Sequence, residues 1–255
     1  MSSVSKTTPE VSRQLAKFTA SFQWDDVPEH VRHEAKRSLL NYFATALSAC
    51  YDPTIEKAVN VYGKFSSGRD ASLIGRSERM DVLTAASINT MAANVFDFDD
   101  THIPTIIHPT APVASPVFAW AQARAVTGAQ ALMSFIVGAE VECRLGNGVS
   151  PGHYARGWHI TSTCGVFGAA CASARLLSIN EQQCLWALGS ASVQAGGLVE
   201  SLGTMSKSVS MGNAARNGMI AALLAQSDFD GPKAPIEGVR GFMPVTCDNP
   251  DFEAV

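Results

Sequence analysis

The sequence predicts an all-α fold, with one multi-helix domain over residues 1–255 and no substantial sheet. Apolar residues recur at three- and four-residue steps along almost the whole chain, which is the period of an amphipathic helix. Only 71–75, "ASLIG", is strand-like, and no alternating segment is long enough for a sheet. The chain has 255 residues, of which 46% are hydrophobic and 16% charged, so it can bury a large core.

Proline marks the start of the first two helices, because its fixed backbone suits the first helical position. Thr8 and Pro9 begin the first helix, whose apolar stripe is Val11, Leu15, Phe18 and Phe22. Pro28 begins the second, whose stripe is Val31, Ala35, Leu39, Phe43 and Leu47. Further helical patterns cover 54–65, 80–98, 112–126, 129–145, 161–177, 180–193 and 211–226.

Small residues dominate the predicted helix that contains "GVFGAACASARLL", residues 165–177. Glycine inside a helix costs up to ~1 kcal/mol relative to alanine. We expect close helix–helix packing to compensate for Gly165 and Gly168, which places this helix at the centre of the domain. The pair Gly196-Gly197 predicts a helix end where the backbone passes close to a ligand.

The charge pattern excludes some classes of partner. A formal net charge of −4 without a basic run argues against nucleic acid and anionic membranes. No apolar run is long enough to span a membrane. The charged fraction is below the usual quarter or so of a globular protein, and burial of surface in a homodimer would explain this.

The six cysteines include no CxxC pair and most lie in apolar helical patterns. Buried free thiols in a reducing compartment are therefore expected. The N-terminal segment lacks the hydrophobic core of a secretion signal and is rich in Ser and Thr, with three basic residues. We expect a cytoplasmic protein, with mitochondrial import as the alternative.

Acidic residues and histidines crowd into 95–110, "VFDFDDTHIPTIIHPT". If the preceding helix continues here, Asp97, Asp100 and Thr101 share one face and Asp99 points away. A helix C-terminus disfavours each negative charge by ~0.3–1 kcal/mol, so local stability does not explain the cluster. The interpretations are a solvated turn, an active site or a metal site. No Glu or His partner follows at helical spacing, so we expect no metal.

Three histidines have unusual surroundings. His102 and His108 lie beside prolines in an otherwise apolar segment, "IPTIIHPTAP". His159 leads into the small-residue helix in "RGWHITSTCG", where Thr161 or Ser162 could cap the helix. Free N–H groups at such a helix N-terminus suit a carboxylate.

Lys207 is the single cation of "GTMSKSVS", residues 203–210. An exposed loop lysine is the ordinary interpretation of such a residue. The scarcity of lysine in this chain and the helix that follows favour a role in binding.

Four blocks of the chain together resemble the MmgE/PrpD family: "VFDFDDTH…HPTAPVASPVFAWAQ", "GWHITSTCGVFGAACASARLLSI", "QAGGL" and "MSKSVSMGNAARNG". They occur in the family's order and at similar intervals, and the resemblance extends over nearly the whole chain. The family includes 2-methylcitrate dehydratase and cis-aconitate decarboxylase.

The resemblance implies a helical domain that dimerises, a cleft that works without a cofactor, and di- or tricarboxylate substrates handled by a lyase or an isomerase. The residues carried over by motif as catalytic are Asp97, Thr101, His108, His159 and Lys207. The predicted substrate-binding residues are Asp100, His102, Gly197 and Lys207.

Members of the family continue beyond the helical domain into a smaller α/β lid, whereas this chain stops at "CDNPDFEAV". We therefore expect either a helical domain that acts alone or a lid supplied by a separate chain. A cleft without a lid is more open and excludes water less well.

The residue types suggest a mechanism for elimination beside a carboxylate. Lys207 could hold the carboxylate and stabilise an enolate-like state. His108 or His159 could remove or return the proton. Asp97 could fix a histidine tautomer or act as the acid–base partner, oriented by Thr101. The sequence does not decide which histidine is the base.

The expected function is a cofactor-independent dehydratase, decarboxylase or isomerase acting on a small carboxylate. One alternative is a cyclase or double-bond isomerase for a natural product of secondary metabolism. The other is a catalytically inactive, truncated paralogue that binds a partner protein.

Overall fold

The structure is a computed structural model that describes residues 10–255. This part of the chain is predominantly α-helical, as the apolar periodicity predicts. Its helices are α1 (Val11–Ser21), α2 (Glu29–Ala49), α3 (Pro53–Tyr62), α4 (Val82–Asn94), α5 (Thr110–Ala123), α6 (Gly128–Val149), α7 (Gly152–Ala155), α8 (Ile160–Leu176), α9 (Glu181–Ser192), α10 (Ser206–Gln226) and α11 (Phe242–Thr246). The predicted start at Thr8 and Pro9 lies outside the described residues.

The strand-like run at 71–75 forms only a two-residue strand. This strand, β1 (Ala71–Ser72), pairs antiparallel with β2 (Arg79–Met80), and Ala71 lies opposite Met80. Asp81 follows β2 and begins α4, since its side chain accepts hydrogen bonds from the first turn of that helix.

Helix α8 lies at the centre of the domain, as its small residues predict. It packs against α5, α6, α9 and α10, and every residue from Ile160 to Ala174 is buried. A Cβ atom on Gly168 would lie 2.8 Å from the carbonyl oxygen of Gly138 in α6. The backbones of α6 and α8 are therefore too close for any larger residue at this crossing.

The predicted stripe of α2 was wrong at its C-terminal end. Leu47 is 51% exposed, whereas Tyr42 is fully buried. The hydroxyl of Tyr42 is hydrogen-bonded to Ser115 of α5 over 2.8 Å. That hydrogen bond satisfies the Tyr42 hydroxyl, so the ring can be buried. The side of α2 that carries Tyr42 therefore packs against α4 and α5.

All six cysteines are free thiols, five of them buried and Cys143 half-buried, which confirms the prediction of unpaired thiols. None of the helices between residues 10 and 255 combines the length and apolar character that crossing a membrane requires.

Glu142 of α6 is a buried acid that the sequence analysis did not single out. It is fully buried, and within residues 10–255 neither carboxyl oxygen has a hydrogen-bond partner. Burial, together with the nearby charge of Asp100, raises its pKa well above the ordinary value. The folded chain therefore favours the neutral form of Glu142 up to a higher pH than the unfolded chain does.

Glu142→Met is expected to stabilise the protein, and more so as the pH rises. The unfolded chain ionises Glu142 near pH 4.5 while the folded chain keeps it protonated, so stability falls with pH above that value. The loss is about 1.4 kcal/mol per pH unit while this difference lasts. Urea unfolding of both proteins at pH 5.5 and 7.5 measures it. Glu140→Met, on the exposed side of the same helix, is the control. If Glu142→Met raised the free energy of unfolding by the same amount at both pH values, this explanation would be contradicted.

Candidate active site

The acidic segment is a turn, because α4 ends at Asn94 instead of continuing to residue 98. Asp97 adopts a left-handed backbone with φ of 60°, which aspartate tolerates better than most residues and which a helix cannot accommodate. The expectation that Asp97, Asp100 and Thr101 share a helical face was therefore wrong.

Asp99 points into the protein, which contradicts the expectation that it points away. Its side chain is only 1% exposed. Asn94 Nδ2, at the end of α4, donates a hydrogen bond of 2.7 Å to Asp99 Oδ2. The other oxygen, Oδ1, lies 3.3 Å from His108 Nδ1. The turn thus places a buried carboxylate directly beside His108.

Lys207, Asp97 and His108 meet in space although Lys207 follows Asp97 by 110 residues. Lys207 Nζ donates a hydrogen bond of 2.5 Å to Asp97 Oδ1, and His108 Nε2 lies 3.7 Å from the same oxygen. Helix α10 begins at Ser206, earlier than predicted, so Lys207 is held in its first turn. The Lys207 side chain is only 13% exposed, which excludes the alternative of a free surface lysine.

The carboxylates and the lysine shift the acidities in this cluster. Desolvation raises the pKa of Asp97, but the hydrogen bond and charge of Lys207 outweigh it, so the pKa is lowered overall. Desolvation also opposes the charged form of His108, yet Asp99 and Asp97 outweigh it and raise the pKa of His108. Asp97 is therefore ionised, and His108 retains its proton to a higher pH than an ordinary histidine.

His159 has the opposite character. Desolvation, followed by the charges of Lys207 and His108, lowers the pKa of His159 to about 4. Its backbone N–H donates to the carbonyl oxygen of Gly197 over 3.0 Å, and Nδ1 lies 3.0 Å from Ser162 Oγ. His159 is buried and neutral at physiological pH, at the entrance to α8.

The predicted caps of α8 do not form. His159 itself occupies the N-cap position without a side-chain cap. Thr161 Oγ1 instead accepts a hydrogen bond of 3.2 Å from the backbone N–H of His108, and Ser162 Oγ donates to the His159 carbonyl oxygen. Both hydroxyls thus tie the two histidine segments to α8.

A groove of about 410 Å³ is lined by Ser206 and Ser210, which flank Lys207 in the chain, and by Ser162 and Gly197, which contact His159. Neither Lys207 nor His159 itself lines it. Gly197 lines it with φ of 138°, and a Cβ atom at this position would clash with Ser162 Oγ. The side chains that supply hydrogen-bonding groups are Ser162, Gln194, Ser201, Ser206, Ser210, Asn213 and Asn217. Among the residues that the structure describes, no charged side chain lines this groove.

Asp100 and His102 line a different groove, of about 260 Å³, together with Glu140 and Cys143. The Asp100 carboxylate accepts a hydrogen bond of 2.5 Å from Thr110 Oγ1, and burial raises its pKa. His102 Nδ1 lies 2.8 Å from Thr105 Oγ1. The turn therefore separates these two predicted binding residues from the groove that contains Gly197.

Thr101 is exposed at the edge of the cluster, with Oγ1 3.5 Å from His108 Nδ1. Of the five residues predicted as catalytic, Asp97, Thr101, His108 and Lys207 are thus linked by direct contacts. His159 joins them through its electrostatic coupling to Lys207 and His108.

The turn also offers three atoms that could ligate a metal. One from each of Asp97, Asp99 and His108 lie within 4.8 Å of one another. The Lys207 ammonium already neutralises Asp97, so it competes with a metal cation for that carboxylate.

We expect the purified chain to contain no stoichiometric transition metal. Elemental analysis after dialysis measures this directly. One metal ion per chain, lost on mutation of Asp97 or His108, would contradict the expectation.

The sequence analysis missed Asp99 as a partner of His108. Its signal was present, since Asp99 is one of three aspartates in "DFDD". It also missed His153, a buried histidine whose Nε2 lies 2.7 Å from Thr163 Oγ1. Desolvation lowers the pKa of His153 to about 4. No pattern in the sequence distinguishes this histidine from a solvated one.

Known proteins resemble this chain over most of its length. The family model described as the MmgE/PrpD N-terminal domain matches residues 13–255. The cis-aconitate decarboxylase-like protein oryM of Aspergillus oryzae is 30% identical over 241 residues, covering 90% of this chain and 50% of that protein. The cis-aconitate decarboxylase of Aspergillus terreus is 29% identical, with 91% and 49% covered. That of Mus musculus is 26% identical, with 91% and 49% covered. The chain spans about half the length of the curated relatives it matches.

Proposed function

The chain belongs to the MmgE/PrpD family, and from this premise we propose that it is a cofactor-independent lyase for a small carboxylate. Decarboxylation or dehydration is the proposed reaction type. The relatives named cis-aconitate decarboxylase support this type. We propose that residues 1–255 form one helical domain.

The observation that carries the proposal is the cluster of Lys207, Asp97 and His108, together with the groove lined by Ser206 and Ser210 on either side of Lys207. Asp97 holds the Lys207 ammonium in place and is itself partly exposed. A substrate carboxylate that enters from the groove can pair with the same ammonium. Hydroxyl and amide groups of the groove then hydrogen-bond the rest of the molecule.

The two histidines are suited to opposite proton transfers. The raised pKa of His108 favours the protonated form, which can donate a proton. The lowered pKa of His159 keeps this histidine neutral, which allows it to accept one. We therefore assign His108 as the acid and His159 as the base.

This assignment fits both reaction types. In decarboxylation the bond between the carboxyl carbon and the chain breaks, CO₂ leaves, and the electron pair spreads toward a neighbouring carboxylate. Lys207 stabilises that charge, and His108 protonates the carbon. In dehydration His159 removes a proton from carbon, and His108 protonates the departing hydroxyl. A double-bond isomerase would use the same pair without releasing CO₂ or water.

The test is to incubate the purified chain with cis-aconitate and, separately, with 2-methylcitrate. Mass spectrometry and NMR identify the products, and evolved CO₂ is measured. We expect one carboxylate to lose CO₂ or water without added cofactor. If none of a panel of di- and tricarboxylates is converted, and calorimetry detects binding of none of them, the lyase proposal is overturned. The inactive binding protein is then favoured. A rearranged product of unchanged mass would favour the isomerase.

We also propose that the chain forms a homodimer. Its low charged fraction supports this, as do large apolar side chains on the surface, among them Leu40, Phe65, Phe98 and Ile103, each at least 72% exposed. Sedimentation equilibrium at micromolar concentration is expected to give twice the mass of the 27.0 kDa chain. A mass equal to one chain would refute the dimer.

A further inference from the structure

We propose that Asp99 is the positioning residue of His108: it fixes the proton on Nδ1 and leaves Nε2 as the atom that exchanges protons with a substrate. The catalytic meaning of this inference rests on the proposed function. Its structural content does not, because it concerns the tautomer and titration of His108 in the free protein.

The surroundings of His108 Nδ1 consist of oxygen atoms. Asp99 Oδ1 lies at 3.3 Å, the backbone oxygen of Asp99 at 3.4 Å and Thr101 Oγ1 at 3.5 Å. A carboxylate and a carbonyl can only accept hydrogen bonds. The neutral imidazole is therefore favoured with its proton on Nδ1 and its lone pair on Nε2.

Asp99 is fixed more firmly than Asp97. Its side chain is 1% exposed against 59% for Asp97, so its charge is screened less by water. Asn94 Nδ2 donates a hydrogen bond of 2.7 Å to Asp99 Oδ2, which anchors the Asp99 side chain to the end of α4. Asp99 Oδ1 has no hydrogen bond of good geometry within the described residues, and His108 Nδ1 lies 3.3 Å from it.

Asp97 has a different task. Its Oδ1 accepts from Lys207 at 2.5 Å and lies 3.7 Å from His108 Nε2, beyond hydrogen-bond distance. The two carboxylates are thus divided between the two cations. Asp97 orients Lys207, and Asp99 orients His108, which is one of the two roles that the sequence suggested for Asp97.

The charged groups that face His108 have opposite effects on its pKa. Asp99 and Asp97 lie in its own segment and favour the imidazolium. Lys207 on α10 disfavours it, and His159 at the start of α8 is close enough for its own titration to respond to His108. Removal of the Asp99 charge therefore lowers the pKa of His108, while Lys207 remains to oppose protonation.

The experiment is a pH titration of the histidine side chains by two-bond ¹H–¹⁵N NMR on the full chain. His108→Gln assigns the His108 signals, and exposed His30 is the internal reference. In the unaltered chain we expect the Nδ1–H tautomer for His108 and a pKa above the ordinary histidine value. In Asp99→Asn we expect the pKa of His108 to fall by about one unit or more and the Nε2–H tautomer to appear.

Asp97→Asn is the matched variant, because it removes the other carboxylate of the same turn. We expect it to lower the pKa of His108 less and to leave the tautomer unchanged. An unchanged His108 in Asp99→Asn, or a larger effect in Asp97→Asn, would overturn the assignment. If Asp99→Asn does not fold, Asn94→Ser is used instead, because it weakens the hydrogen bond that holds Asp99 and keeps the Asp99 carboxylate. A shift of the His108 tautomer in Asn94→Ser would support the proposal, and an unchanged tautomer would overturn it.

Where the chain shows turnover, the pH profile of kcat gives a second readout. As an acid, His108 loses activity when the pH rises through its pKa, so Asp99→Asn should move that loss to lower pH. A failed lyase assay would leave the NMR result intact. If Asp99→Asn left the His108 titration unchanged while the chain showed turnover, Asp99 would not be the positioning residue. The proposed lyase function would be unaffected by that result.

Discussion

His108→Ala is expected to lower turnover by roughly 10²–10⁴-fold, the usual effect of removing a positioned general acid. The imidazole lies between Asp99 and the Asp97–Lys207 pair, and no other histidine pairs with these carboxylates in the described part of the chain. Steady-state kinetics on the substrate identified by product analysis measures the loss.

His30→Ala is the control, because His30 is exposed on α2 and makes no contact with the cluster. It should leave kcat unchanged. Turnover by His108→Ala within a few-fold of the unaltered chain would exclude His108 as the acid.

Lys207→Ala is expected to weaken substrate binding and to slow turnover together. Within the described residues Lys207 is the only lysine or arginine that pairs with Asp97, and its ammonium would meet the substrate in both the ground and the transition state. KM should therefore rise while kcat falls. The melting temperature should change little, since a partly exposed ion pair contributes about 0–1 kcal/mol.

Lys57→Ala is the matched control. Lys57 lies near the same helix start, with Nζ 3.7 Å from Met205 Sδ, but it is exposed and does not reach Asp97. A rise in KM with unchanged kcat in Lys207→Ala would assign Lys207 to binding alone. Equal effects of the two lysine variants would indicate a general loss of positive charge.

The sequence predicted the helices well because their signals are local. Apolar periodicity identified nearly every long helix, and Gly168 correctly indicated a close crossing of α6 and α8. The predicted convergence of Lys207 on Asp97 came from the family resemblance, since no local rule connects residues 110 positions apart.

The details of the turn were not predictable, because they depend on tertiary contacts. The helical pattern before Asp97 gives no sign that α4 stops at Asn94, where Asn94 Nδ2 donates a hydrogen bond to Asp99. Asp99 points inward and makes this bond, whereas Asp100 bonds Thr110 and lines a separate groove. Asp97, Asp99 and Asp100 have different partners, and Asp97 adopts a left-handed backbone. The sequence alone does not specify this conformation.

The central claim is that a substrate carboxylate binds at Lys207. A crystal structure of the chain with tricarballylate, a saturated analogue of cis-aconitate, tests it most directly. We predict one carboxylate within hydrogen-bonding distance of Lys207 Nζ, with the rest of the molecule against Ser162, Ser210 and Asn213. Tricarballylate bound instead in the groove of Asp100 and His102, with Lys207 still held by Asp97 alone, would contradict the account.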